Sequence, residues 1–402
     1  MAGTRAQARG DRVSEDAQIV TLAVLLTIAN LVIALRALHV VARSRTSIEP
    51  HQPDNDLPSL SIVVPARNEE RNIERCVRSL LATSHPDFEV ILVDDQSTDA
   101  TREIAAAMAA TQPRLHVLAG TPLPPGWVGK PWALWQGANA ARGAWLLFTD
   151  ADTRHEPLAA CSAQRFALDR SVEALSLLTD QETVGAAERL FLPTILFVIM
   201  LGVGAVDDVN DRKQRGVAIF NGQYVLCSRK AYFGIGGHKA VRGEIAEDLE
   251  LARLFKRDGR YRIMLAGASG LVSTRMYASF SELWQGFVKN FASGARGHPF
   301  DAAMGSALLA CVSPLTPLAV VALALRNQWL PAALLALGAA AIAAIAEIGM
   351  RRSRFRPGSG LAIHLGLVLV LAIFATSLYR SYAGDGVEWR GRRYGGGLRR
   401  RV

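Results

Sequence analysis

The residues with the clearest chemical potential lie in four short polar clusters. Asp150-Ala151-Asp152 follows the apolar run Trp145-Leu146-Leu147-Phe148-Thr149. Two carboxylates on one side of an extended segment offer the oxygen ligands that a hard divalent cation, Mg2+ or Mn2+, takes together with phosphate oxygens. Such a metal would neutralise a departing diphosphate. A lone Asp-x-Asp is equally a solvated turn, and the strand in front of it is what favours the metal, held by Asp152 with Asp150. Asp94-Asp95 closes the run Phe88 to Val93 and offers acceptor oxygens to a nucleotide base and ribose. With Ser97 and Asp99 it reads equally as a helix cap. Lys130, in Gly126-Trp127-Val128-Gly129-Lys130-Pro131, is a candidate phosphate contact, although a single lysine is more often a solvated charge. Glu247-Asp248 opens a helical pattern through Leu251, Leu254 and Phe255. One of these carboxylates can deprotonate an acceptor hydroxyl, or both simply complement a helix N-terminus. The sequence leaves these two readings even.

Strands and helices must bring these clusters together. Leu60-Ser61-Ile62-Val63-Val64-Pro65 reads as a buried strand, and Ile73, Val77 and Leu80 share one face of a helix. Phe88 to Val93 is a second strand, followed by a helix through Ile104 and Met108. Leu115 to Leu118 is a third strand, and Trp145 to Phe148 a fourth. Strands alternating with helices imply an α/β domain with a mostly parallel sheet, whose ligands bind beyond the carboxyl ends of the strands. Arg67-Asn68-Glu69, Asp94-Asp95 and Asp150-Ala151-Asp152 all fall at that edge. No GxGxxG follows the first strand and no GxxxxGK[ST] occurs, which disfavours dinucleotide and P-loop sites.

The 402-residue chain is 50% hydrophobic with a net charge of +9 and a mean hydropathy of +0.17. Apolar residues crowd the N-terminal region and the last hundred positions, while basic residues crowd the ends. This pattern points to anionic lipid headgroups and away from nucleic acid. The scattered Cys76, Cys161, Cys227 and Cys311 form no CxxC pair and read as reduced thiols. Ile19 to Val41 is long enough to span a bilayer and reads as a retained anchor. Ala302 to Leu325, Leu330 to Met350 and Leu361 to Tyr379 read as three further spans. Leu190 to Val206 is shorter and reads either as an interfacial helix or as a buried one. The expected organisation is an N-terminus without structure (1–16), an anchor (17–42), a soluble domain (58–295), a membrane region of about three helices (302–380) and a basic tail (381–402). Arg43, Arg45, Arg351, Arg352, Arg354 and Arg356 place the soluble domain on the cytoplasmic side. Four spans would then put the basic tail outside, against the same charge rule.

Ser61-Ile62-Val63-Val64-Pro65-Ala66-Arg67-Asn68-Glu69, Val93-Asp94-Asp95-Gln96-Ser97-Thr98-Asp99, Gly129-Lys130, Asp150-Ala151-Asp152 and Glu247-Asp248 occur in this order. The set resembles the family 2 glycosyltransferases with a GT-A fold, over roughly Leu60 to Gly294. Pro124-Pro125-Gly126-Trp127-Val128-Gly129-Lys130, Phe220-Asn221-Gly222-Gln223-Tyr224, Arg275-Met276-Tyr277 and Glu388-Trp389-Arg390-Gly391-Arg392-Arg393-Tyr394 are similar to hopene-associated and carotenoid-type members. The resemblance implies a GT-A domain flanked by transmembrane helices in an integral protein of a bacterial inner membrane. It implies an inverting transfer of a sugar from a nucleotide-diphosphate donor, UDP by family habit, to a lipid or amphipathic acceptor. Pro65, Arg67 and Glu69 would line the nucleotide pocket, with Asp94 and Lys130 beside it, and Asp95 would hold the uridine part. Asp150 and Asp152 would bind the diphosphate and the metal, and Asp248 would be the base. Glu247, Gln223, Gln285 and Lys289 are acceptor-side candidates. The last two stand in Trp284-Gln285-Gly286-Phe287-Val288-Lys289-Asn290, where some relatives carry Gln-x-x-Arg-Trp; the tryptophan is absent here. That departure weakens the alternative of a processive polysaccharide synthase. A catalytically inactive nucleotide-sugar-binding protein is the other alternative.

Overall fold

The computed structural model describes residues 2–53, 55–214, 216–277, 279–294, 305, 315–382, 387–389 and 392–394. Most of the expected span from Ala302, Cys311 and most of the basic tail lie outside these residues. The chain begins α1 (Ala2–Ala42), β1 (Leu60–Ala66), α2 (Ile73–Leu81), β2 (Phe88–Asp94), α3 (Thr101–Ala109) and β3 (Leu115–Ala119). It continues through α4 (Gly129–Ala140), β4 (Trp145–Phe148), β5 (Thr153–His155), α5 (Ala159–Asp169), β6 (Ala174–Leu178) and β7 (Asp180–Gln181). Next come α6 (Ala186–Val203), α7 (Val206–Asn210), β8 (Val225–Ser228), α8 (Arg229–Gly234), α9 (Gly237–Ala240) and α10 (Glu247–Asp258). It closes with β9 (Ile263–Gly267), β10 (Val272–Thr274), α11 (Phe280–Gly294), α12 (Leu315–Leu325), α13 (Trp329–Arg352), α14 (Ile363–Tyr382), β11 (Val387–Trp389) and β12 (Arg392–Tyr394).

The chain divides into two compact units. One holds α1, most of α6, and α12 with α13 and most of α14. Ala17–Ala42, Ala186–Val203, Trp329–Arg352 and Ile363–Arg380 are each long and apolar enough to cross a membrane. Within this unit α1 lies close against α13, where a Cβ on Gly338 would stand 3.0 Å from that of Asn30. Arg352 Nη1 donates to the Val41 carbonyl at 2.6 Å. Two expectations change. Helix α1 runs back to Ala2, so residues 2–16, expected without structure, continue the anchor helix; Ala, Arg, Gln and Glu in this stretch are good helix formers. The stretch expected at Leu190 to Val206 is α6, which starts earlier, tolerates Pro193 within it and groups with the other apolar helices.

The other unit is built on a seven-stranded sheet of order β3-β2-β1-β4-β8-β6-β9. Only β8 runs antiparallel to its neighbours, β4 and β6; the other pairings are parallel. Alternation along the strands divides the core. Ile62, Val64, Leu92 and Leu147 face α2 and α5 through Val77, Leu80 and Ala163. Val63, Val93, Leu146 and Phe148 face α4 and α10 through Ala133, Leu134, Leu251 and Phe255. Pro65 is tolerated in this central strand because pairing to β4 ends at Val63↔Phe148, so the missing N–H interrupts no ladder on that side. The unmatched polarity of β8 has a consequence for the site. Its first residue, Val225, lies opposite the last residue of β4, Phe148, so the loop entering β8 meets the loop leaving β4.

Helix α4 packs against the sheet at Gly137, where a Cβ would stand 2.4 Å from Val63 Cγ1 and 3.1 Å from Val93 Cγ2. Gly137→Val is therefore expected to destabilise this unit by about 1–3 kcal/mol, the cost of overpacking. The check is a lower melting temperature of the detergent-solubilised protein.

Candidate active site

The loops after β1, β2 and β4, with the one before β8, share one edge of the sheet. The first two interlock. Arg67 Nη1 donates to the carbonyls of Asp95 at 2.6 Å and Gln96 at 3.0 Å. Asn68 Oδ1 accepts from the Thr98 amide at 2.8 Å, and the Glu69 amide donates to Thr101 Oγ1 at 2.7 Å. Glu69 Oε2 accepts from Asn72 Nδ2 at 3.0 Å. Asn68 and Gln96 both adopt left-handed backbone, with φ of 54° and 57°. Such conformations persist outside glycine where surrounding bonds enforce them. Asp94 and Asp95 are buried. Asp94 Oδ1 accepts from the Ser97 amide at 3.2 Å, closing a turn ahead of α3 without capping that helix, and Asp99 Oδ1 accepts from the Thr101 amide at 3.0 Å. A Cβ on Gly120 would stand 2.7 Å from the Asp94 carbonyl oxygen. Gly120→Val is expected to displace this loop and destabilise the unit by about 1–3 kcal/mol, measurable as a lower melting temperature.

A second group gathers around Lys130, in the first turn of α4. Its Nζ lies 2.7 Å from Asp150 Oδ1 and 2.9 Å from Glu247 Oε1. Glu247 is almost fully buried, while Lys130 keeps about a third of its side chain exposed. Asp248 Oδ2 accepts from the Gly222 amide at 2.8 Å, and Oδ1 accepts from the Leu249 amide at 2.8 Å. Burial, with the Glu247 charge beside it, pushes the Asp248 carboxyl up to about 6, against the opposing pull of Lys130. Burial acts to lower Lys130, but Asp150, Glu247 and Asp248 outweigh it and hold the ammonium well above its usual range. The backbone joins the two halves of this group: the Val128 amide donates to the Arg242 carbonyl at 2.7 Å, tying the approach to Lys130 to the approach to Glu247.

A buried network that sequence reasoning missed holds the Asp150–Asp152 loop. Thr153 Oγ1 donates to the Asp150 carbonyl at 2.7 Å, and Thr149 Oγ1 donates to the Gln223 carbonyl at 2.8 Å. His155 Nε2 lies 3.0 Å from Thr153 Oγ1 and 3.1 Å from Thr149 Oγ1. Burial draws His155 down to about 3, so the ring is neutral. Cys76 Sγ donates to the Asp150 carbonyl at 3.6 Å, and burial foremost pushes this thiol up to about 12. Cys76, Cys161 and Cys227 are all buried and unbridged, as expected. His238, also drawn down to about 3 by burial and then by Lys130, is anchored through Nδ1 to the Tyr232 hydroxyl at 2.8 Å. A lone threonine or histidine leaves no signal in a sequence, so none of these could be singled out.

The acceptor-side candidates divide. Glu247 belongs to the Lys130 group. Gln223 is buried, and its Oε1 accepts from Thr179 Oγ1, Gln181 Nε2 and Asn221 Nδ2, which makes it a support of its loop. Gln285 is exposed on α11 and donates to Ser281 Oγ at 3.2 Å. Lys289 is half-buried on the same helix. Among the described residues no three His, Cys, Asp or Glu side chains converge as a ready-made metal cage. Asp150 and Asp152 together offer two carboxylates, a donor set that suits a cation whose remaining ligands are phosphate oxygens and water. The Lys130 ammonium against Asp150 shows that positive charge is favoured at this spot.

Residues 61–172 match the sequence model of Glycosyl transferase family 2. The 4,4'-diaponeurosporenoate glycosyltransferase of Staphylococcus haemolyticus is 29% identical over 240 residues, covering 59% of this chain and 62% of that protein. Its counterpart in Staphylococcus aureus is 27% identical over 242 residues, with 60% and 62% covered. The match thus spans somewhat under two thirds of the length of these relatives. Among solved structures, a mannosyltransferase from Pyrobaculum calidifontis in complex with GDP-Man and Mn2+ superposes with a TM-score of 0.58 at 20% identity, over 90% of this chain and 99% of that one. That superposition carries the fold, a GT-A domain accompanied by apolar helices fit to cross a membrane, and residues 61–172 carry the match to the family 2 glycosyltransferases.

Proposed function

We propose that the protein transfers a sugar, with inversion, from a UDP-sugar to a lipid or amphipathic acceptor at the membrane surface, its GT-A domain facing the cytoplasm of a bacterial cell. The observation that carries this reading is the convergence of Lys130, Asp150, Glu247 and Asp248, drawn from three distant parts of the chain, at the carboxyl edge of the sheet. The interlocked loops bearing Arg67, Glu69, Asp94 and Asp95, with Pro65 beneath them, form the nucleotide side. Asp150 and Asp152 would hold Mg2+ or Mn2+ against the diphosphate, and the bound cation would neutralise the charge that the leaving group gains. Lys130 exchanges a carboxylate partner for a phosphate oxygen when donor arrives. Asp248, aimed by two backbone amides, accepts the proton of the acceptor hydroxyl as that oxygen attacks the anomeric carbon.

The acceptor class follows from the apolar helices and from the carotenoid-type names of the relatives. Helix α6 is read as lying in the interface, where an amphipathic acceptor enters. Gln285 and Lys289 on α11 are assigned to the acceptor side.

The test is to incubate membranes containing the protein with labelled UDP-glucose, UDP-galactose or GDP-mannose and extract the lipids. Label is expected in the organic phase, dependent on Mn2+ or Mg2+ and abolished by EDTA. Transfer into water-soluble polymer would overturn the lipid acceptor, and the same labelling with Asp248→Asn would remove the assigned base.

A further inference from the structure

The loop Phe220-Asn221-Gly222-Gln223-Tyr224 has no catalytic side chain, yet it touches the proposed base. It enters β8, whose antiparallel course brings this loop to the end of β4 and so to Asp150. Several bonds hold it rigid. The Asn221 amide donates to Ser176 Oγ at 2.7 Å, and Asn221 Nδ2 donates to the Leu177 carbonyl at 2.8 Å. Ser176 Oγ in turn donates to the Tyr224 carbonyl at 3.0 Å, and the Tyr224 amide to the Asn221 carbonyl at 3.0 Å. Gly222 therefore sits on a frame built from β6, and its amide points at Asp248 Oδ2. The missing side chain matters as much as the amide. A Cβ at Gly222 would lie 3.0 Å from Asp248 Oδ2 and 3.1 Å from Lys130 Nζ. Its φ is not in the left-handed region, so alanine would add crowding without backbone strain.

We propose that Gly222 is a positioning residue for the transfer reaction: its amide orients the Asp248 carboxylate, and its lack of a side chain lets Asp248 and Lys130 close in on the same point. The inference rests on Asp248 being the base. Lys130 is the flexible partner and can yield to an added methyl group. Asp248 is held through both oxygens, so its displacement costs the aim of the base. A misplacement of this kind is expected to lower turnover by about 10- to 100-fold while the nucleotide side, on the loops after β1 and β2, keeps its affinity.

The experiment uses the full chain in lipid nanodiscs. Nucleotide release is measured from UDP-glucose, UDP-galactose, UDP-N-acetylglucosamine and GDP-mannose, and the fastest donor is used for kcat. UDP binding with Mn2+ is measured separately. For Gly222→Ala the expected result is kcat down about 10- to 100-fold with UDP affinity and melting temperature near wild type. Asn221→Ala loosens the loop without adding bulk, is expected to act in the same direction, and carries the test if Gly222→Ala fails to fold. Unchanged kcat in both variants, with Asp248→Asn inactive, overturns this inference and leaves the functional reading standing. Parallel loss of UDP affinity, stability and kcat also overturns it, because that pattern marks a merely structural loop. A wild-type protein that turns over none of these donors, or an Asp248→Asn variant at wild-type rate, overturns the functional reading and this inference with it.

Discussion

Asp248→Asn is expected to lower sugar transfer by about 10²–10⁴-fold, the usual contribution of a positioned general base, with UDP binding nearly unchanged. Asparagine keeps the shape and can still accept from the Gly222 and Leu249 amides through its oxygen, so the loss reports the proton-accepting carboxylate and not the fold. The pH dependence gives an independent check. The raised carboxyl, near 6, means that Asp248 holds a proton below that pH and cannot take another. Activity should therefore rise with pH through about 6 and then level. Glu247→Gln removes a negative neighbour that favours the protonated form, so its acidic limb should move to lower pH. The stability sign runs the other way. A carboxyl raised by folding binds its proton more tightly in the native state, so its contribution to stability is complete below the usual carboxylate range and is lost as pH rises through about 6. A rate profile flat from pH 5 to 7, measured at saturating donor, would contradict Asp248 as the base.

The first half of the GT-A unit was legible because its elements carry their own signals. β1, β2 and β4 are apolar runs that stop at polar clusters, and α2 repeats its apolar residues at helical spacing. The second half was not. β6 (Ala-Leu-Ser-Leu-Leu), β8 (Val-Leu-Cys-Ser) and β9 are short, and they are defined by long-range pairing to one another and to β4, which no local pattern encodes. The site divides on the same line. Asp150, Asp152, Glu247 and Asp248 announce themselves by charge after an apolar run or at a helix start. That Lys130 bridges Asp150 and Glu247, and that Gly222 touches Asp248, depends on the antiparallel entry of β8 and on the Val128–Arg242 tie. Asp94 closes a turn, and Arg67, read from the sequence only as a pocket residue, clamps the loop after β2. Charge alone could not rank these roles against ligand binding.

Lys130→Met is expected to weaken UDP binding by about 10- to 100-fold and to destabilise the GT-A unit, two effects that a second substitution separates. Lys130 stands in the first turn of α4, where the helix dipole disfavours a cation. It is kept there by Asp150 and Glu247 at 2.7 Å and 2.9 Å. Removing the ammonium leaves Glu247, 5% exposed at its side chain, without its counter-charge. Breaking a fully buried pair costs about 3–5 kcal/mol; with Lys130 a third exposed, solvent screening lowers the expectation to about 1–2 kcal/mol. The affinity loss has another origin, a charge-assisted bond to phosphate worth about 1.5–3 kcal/mol. Lys130→Met/Glu247→Gln should therefore recover most of the melting temperature, because Glu247, the most buried partner of the lysine, no longer carries a charge, yet bind UDP as weakly as the single variant. Lys130→Arg should restore only part of the affinity, since a planar guanidinium does not occupy the compact space between Asp150, Glu247 and Gly222. If Lys130→Met bound UDP as tightly as wild type, the lysine would be a structural bridge between Asp150 and Glu247, and the diphosphate would have to be held by the metal and the Asp150–Asp152 loop without it.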